Sequence, residues 1–87
     1  MILMRKEEIL ERLLNFITRC FMVERDEIDL DESMVDEGII DSFGLIEIAS
    51  FMEEEFGMKI GEEDMIRENF GSVNRIVNFI NEYLTAK

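Results

Sequence analysis

Apolar residues recur along the first quarter of the chain at the spacing of an α-helix. Leu10, Leu13, Leu14, Ile17 and Phe21 stand at i, i+3, i+4, i+7 and i+11, while Glu7, Glu8, Glu11 and Arg12 fill the other face. This pattern predicts an amphipathic helix from about residue 3 to 20. Residues 22–41 then lose the periodicity and read as a long acidic connection. Val23, Ile28, Leu30, Met34 and Val35 are the positions expected to pin it to a core. A loop of that length in so small a protein is either functional or broken by short turns.

Periodicity returns at Ser42 and runs to Phe56, with Asp41 or Ser42 as the N-cap and Gly57 as the stop. Residues 61–66, "GEEDMI", form a short third helix in this reading. Ser72 caps a fourth, from Val73 to Leu84, in which Val73, Ile76, Val77, Ile80 and Leu84 are in phase. No strand-like alternation persists and no repeat is evident. The expected fold is all-α, a small four-helix bundle of three main helices and one short one. At 87 residues, 1–87 reads as a single domain with one modest core.

A helical wheel separates two apolar sets on the second helix. Leu45, Ile48, Ala49, Met52 and Phe56 share one stripe, assigned to the core. Phe43 and Ile46 fall nearly opposite, beside Glu47, Ser50, Glu53 and Glu54. Either they tuck under the long loop, or they form a docking surface with an apolar centre and a charged rim. Gly44 weakens the helix by about 1 kcal/mol relative to Ala, and is read as keeping that surface open to a close approach.

Charge sharpens the second alternative. The net charge is −12, but residues 1–25 and 65–87 are each slightly basic. Residues 26–64 hold fifteen acidic side chains against Lys59 alone. Such a surface repels phosphate backbones and anionic membranes and attracts basic partners. Nucleic acid is excluded as a partner. Met1 to Met4 is cut off by Arg5 and Lys6, too short for a signal or a membrane span. With Cys20 the only cysteine, no intrachain disulfide is possible. A soluble, cytoplasmic, monomeric protein is expected.

Few chemistries survive the inventory. Histidine is absent, so no Ser-His-Asp or Cys-His device can be built. One cysteine and no histidine make a zinc site implausible. Asp29, Asp31 and Ser33 hint at a calcium loop, but its sixth and twelfth positions are Met34 and Ile40 rather than Gly and Glu. The seven methionines are read as core filler. No metal site and no catalytic residue are assigned. What remains is Ser42: ordinary helix-start chemistry, or a rigidly held hydroxyl in a carboxylate field. With no base beside it, that hydroxyl is a poor nucleophile by itself but a good acceptor for a group installed by another enzyme.

These residues resemble a known family. Asp41-Ser42-Phe43-Gly44-Leu45-Ile46-Glu47-Ile48 is similar to the Asp-Ser-Leu motif of acyl carrier proteins and their peptidyl and D-alanyl relatives. "DEGIIDSFGLIEIASFMEEEFGMKI" resembles the family's loop and second helix, and "RENFGSVNRIVNFI" its final helix. The likeness covers essentially the whole chain. It implies that Ser42 carries a covalent 4′-phosphopantetheine arm and that Asp41 helps a phosphopantetheinyl transferase engage metal-bound coenzyme A. It implies a partner face of Phe43, Ile46 and Glu47, with Glu53 and Glu54 adding charge. Fatty-acid carriers of that family usually have Gly-Ala-Asp-Ser, whereas Gly38-Ile39-Ile40-Asp41-Ser42 is one residue longer. They also carry an acidic residue at Gly44 and a large apolar one at Ser50. "GIIDSFG" is closer to D-alanyl carriers and free-standing carriers of specialised pathways.

The resemblance implies a non-enzymatic carrier that shuttles acyl or aminoacyl thioesters. An adenylate-forming ligase or acyltransferase would load it, and downstream synthase enzymes would use it. The alternative is an acidic helical adaptor that binds a basic partner and carries no prosthetic group.

Overall fold

The leucine and isoleucine stripe of the first segment does form a helix, α1, from Lys6 to Phe21. Ile9, Leu13, Leu14 and Ile17 are its buried residues, and Met22 ends it in a left-handed conformation. The computed structural model describes residues 4–86, so the expected helix start at residue 3 lies outside the described residues. A single 3₁₀ turn follows at Arg25–Glu27, held to α1 by a two-pronged contact from Arg25 to Glu11 at 2.9 and 3.0 Å and a third to Asn15 at 2.8 Å.

α2 runs from Ser42 to Phe56. Asp41, not Ser42, is its N-cap: the Asp41 carboxylate accepts from the Gly44 N–H at 3.0 Å. Gly57, at φ 66°, stops the helix in the left-handed region that suits a residue without a β-carbon. The segment predicted as a short helix at 61–66 is instead a 3₁₀ turn, Glu62–Asp64, and the short helix α3 is displaced to Arg67–Phe70. The Gly61 N–H bonds the Asp64 carboxylate at 3.0 Å, as at a helix start, but only this one turn forms. α4 spans Val73–Thr85, with the Ser72 hydroxyl accepting from the Arg75 N–H at 3.1 Å. The described residues form four α-helices without a strand, the expected bundle.

Its core is drawn from every main helix: Leu13 and Ile17 of α1, Ile48 and Met52 of α2, Ile76 and Ile80 of α4. The long connection supplies Ile28, Met34 and Ile40 as anchors, while Val23 and Leu30 are only half-buried. Val35, read from sequence as another anchor, is 37% exposed. The reason is a tight turn in which the Ile39 N–H donates to the Met34 carbonyl at 2.9 Å, carrying Val35 over the outside. Asn74 fastens the connection to α4 twice. Its backbone N–H, an orphan donor of the helix's first turn, reaches the Leu30 carbonyl at 2.9 Å, and its side-chain amide reaches Asp31 at 2.7 Å. Methionine is not uniformly core filler, since Met34, Met52 and Met58 are buried but Met22 is 90% exposed.

Gly44 overturns its sequence reading. It is buried rather than surface-opening, and a β-carbon there would lie 2.8 Å from the Ile40 Cβ and 3.2 Å from a Phe21 ring carbon. The glycine is needed because α2 lies directly against the preceding chain. Gly44→Ala should therefore lower stability by about 1–3 kcal/mol through overpacking, against the gain of about 1 kcal/mol that an open helical site would give. Thermal unfolding checks this, with a fall of about 4–8 °C for each kcal/mol lost.

Candidate functional site

The first two turns of α2 bring together the residues singled out by sequence. Asp41 closes the helix start, which leaves the Ser42 hydroxyl out of the cap and exposed on the first helical residue. Phe43 and Ile46 are 74% and 53% exposed. They do not tuck under the long connection, because Ile48, Ala49 and Met52 commit the opposite stripe of α2 to the core. Leu45, assigned to that stripe, is only half-buried, and it forms part of a groove beside Ser42.

That groove, of about 190 Å³, lies between the end of the long connection and the segment leading into α4. Val35 and Asp36 line one side, Ser42 and Leu45 the floor edge, and Ile66 and Arg67 the other side. Asp36 and Arg67 face each other across it at 3.5 Å, a long contact between exposed side chains. An exposed serine hydroxyl opening on a partly apolar channel fits attachment of a linear group that must emerge into solvent. Sequence reasoning did not find Ile66 or Arg67, and it placed Val35 in the core rather than beside Ser42. The one available signal was that Arg67 is the sole basic residue between Lys59 and Arg75.

The residues expected to form a partner face make only partly one surface. Ile46, Glu47 and Glu54 border a second groove, whose floor is the Phe16–Phe51 pair stacked at 4.3 Å between α1 and α2. Glu53 stands apart from it, with its carboxylate accepting from the Ile60 N–H at 3.0 Å and tying down the chain after α2. Glu47 accepts a hydrogen bond from the Cys20 thiol at 3.1 Å, linking the face to the end of α1. That bond, with some desolvation and the carboxylate's charge, holds the thiol pKa above its ordinary value. Next to them, Arg12 bridges Glu55 at 2.6 Å and Glu8 at 3.0 Å. Cys20 had no sequence signal marking it as a neighbour of this face, because the two segments meet only on folding.

The family model described as "Phosphopantetheine attachment site" matches residues 11–80. An acyl carrier protein of Petrotoga mobilis is 33% identical over 81 residues, covering 93% of each chain. A D-alanyl carrier protein of Streptococcus suis is 29% identical over 79 residues, covering 91% of this chain and 99% of that one. A chain of a solved structure described as "Crystal structure of FAD-dependent dehydrogenase" superposes with a TM-score of 0.66 at 25% identity, over 78% of this chain and 97% of that chain.

The Cys20–Glu47 contact carries its own expectation. Alkylation proceeds through the thiolate, and Glu47 disfavours that form. Glu47→Gln should bring the Cys20 pKa back down, so that iodoacetamide modifies Cys20 faster at mildly alkaline pH; equal rates in the two proteins would refute the contact.

Proposed function

The chain belongs to the carrier-protein family with a phosphopantetheine attachment site, and we propose that Ser42 is the residue that bears the arm. Its members are non-catalytic acyl or aminoacyl carriers that work with transferases and synthetic enzymes, and the cofactor is 4′-phosphopantetheine. That membership replaces the reading of an acidic adaptor without a prosthetic group. The observation that carries Ser42 is its hydroxyl, released from capping by Asp41 and exposed at the edge of a groove. The arm's terminal thiol supplies a thioester linkage for the cargo.

Ser42 Oγ attacks the phosphorus of coenzyme A presented by a phosphopantetheinyl transferase. Its O–P bond forms as the bond to the nucleotide half breaks, and its proton passes to the transferase's site. Catalysis there is positioning and charge neutralisation supplied by the partner. The α2 backbone holds the hydroxyl at a fixed point, and Asp41, with one oxygen on the Gly44 N–H, would have its other oxygen to help the transferase engage its metal-bound coenzyme A. Phe43 and Ile46 give the partner an apolar footing, with Glu47 and Glu54 as its acidic rim and Glu53 contributing charge from the side. Basic-rimmed partners dock quickly and weakly on such a surface, with affinity that falls as salt rises.

Loading then falls to an adenylate-forming ligase or an acyltransferase, and downstream synthase enzymes take the cargo. In this reading residues 1–87 act as one carrier domain, a monomer in the cytoplasm. Among the described residues no helix is long and apolar enough to cross a membrane.

Co-expression with a broad-specificity transferase should add the mass of one arm to the wild-type protein and none to Ser42→Ala. An addition that survives this substitution would overturn the assignment. Phe43→Ala and Glu47→Lys should each slow attachment several-fold at low salt while shifting stability by no more than about 0.5 kcal/mol, as expected of exposed positions; transferase kinetics and thermal unfolding measure the two separately.

A further inference from the structure

The ion pair across the groove beside Ser42 has no evident structural purpose. Asp36 and Arg67 meet at 3.5 Å, with side chains 61% and 81% exposed, and such pairs stabilise a fold very little. Both side chains line the same groove as Ser42. Arg67 is also chemically isolated, since residues 26–64 hold fifteen carboxylates and only Lys59 as a base. A phosphodiester formed on Ser42 places one more negative charge in that field. Arg67 is the only cation among the groove's described lining residues. Its planar fork of donors binds a phosphate through two hydrogen bonds more favourably than a carboxylate held at the edge of contact.

Resting on the assignment of Ser42, we propose that Arg67 is a positioning residue for the arm: it bridges to Asp36 in the unmodified protein and exchanges Asp36 for the Ser42 phosphodiester after attachment. The exchange does two things. It directs the base of the arm into the groove, against the exposed apolar side chains of Val35 and Ile66, which are 37% and 47% accessible. It also releases Asp36, so the end of the connection before α2 is no longer tied to α3. Unmodified and modified carriers then present different surfaces on either side of Ser42. A partner can distinguish them without reading the cargo.

The test compares unmodified and arm-bearing forms of the wild type, Arg67→Ala, Arg67→Lys and Asp36→Asn. Intact mass first establishes that each protein carries one arm, and that Ser42→Ala carries none. Failure of the wild type at this step overturns the attachment reading itself, and this proposal with it. Phosphorus NMR and amide NMR shifts of residues 33–36 and 65–68 then report on the exchange. Attachment should move both amide groups in the wild type. Arg67→Ala, loaded to the same extent, should lose the shift at 65–68 and move the phosphorus resonance toward that of a free phosphodiester. Arg67→Lys should restore part of each effect, since it keeps the charge but not the fork. Asp36→Asn should reduce the shift at 33–36, because its loop starts untethered. Fully loaded Arg67→Ala with phosphorus and amide signals equal to those of the wild type would overturn the proposal while leaving Ser42 as the attachment site.

Discussion

The close approach of α2 to the chain before it governs everything around Ser42. With no β-carbon at Gly44, Ile40 and the Phe21 ring reach the helix backbone, and the first turn is held between the long connection and the end of α1. Asp41 is thereby placed where its carboxylate meets the Gly44 N–H at 3.0 Å. The Gly44 N–H is thus shared between the Asp41 carbonyl and carboxylate, both at 3.0 Å, and Ser42, not needed as the cap, stays exposed. Because Ile48, Ala49 and Met52 must fill the core on the far stripe, Phe43 and Ile46 have no buried place to go. One packing contact therefore sets the position of Ser42, the proposed attachment site, and of the exposed apolar pair Phe43 and Ile46.

Charge is arranged around that anchor with the same economy. On the α1 side the carboxylates are answered locally, by Arg12 on Glu8 and Glu55 and by Arg25 on Glu11. These contacts hold the Glu11 pKa below, and those of both arginines above, their ordinary values. Around Ser42 the acids are mostly not matched by bases, and the negative potential is concentrated on the side of the proposed attachment site. A field of this kind favours rapid encounter over lasting attachment, which suits a carrier that must leave each enzyme before reaching the next.

Much of this was legible in the chain. The 3.6-residue spacing of Leu13, Leu14 and Ile17, and of Val73, Ile76, Val77 and Ile80, located two helices, because an apolar stripe has only one way to be buried. The stop at Gly57 and the cap at Ser72 followed from local backbone chemistry. The failures have separate physical origins. Gly44 was misread as an opening because its neighbours Phe21 and Ile40 lie outside the helix that contains it. Val35 was misread as an anchor because a hydrogen-bonded turn, not hydropathy, decides which way it faces. The short helix lies at 67–70 rather than 61–66, where the capped start at Gly61 yields only the 3₁₀ turn Glu62–Asp64.

The sequence by itself determined the helical content, the acidic middle, the missing catalytic inventory and the candidate serine, since each depends on residue type and on neighbours a few positions away. The tertiary structure alone decided that Asp41 rather than Ser42 caps α2, that Cys20 sits on Glu47, and that Asp36 and Arg67 close a groove beside the serine. These last two pairings join residues 27 and 31 positions apart, as their numbers show. No local preference encodes them; they exist only because burying the α1, α2 and α4 stripes together fixes where the connecting segments must run.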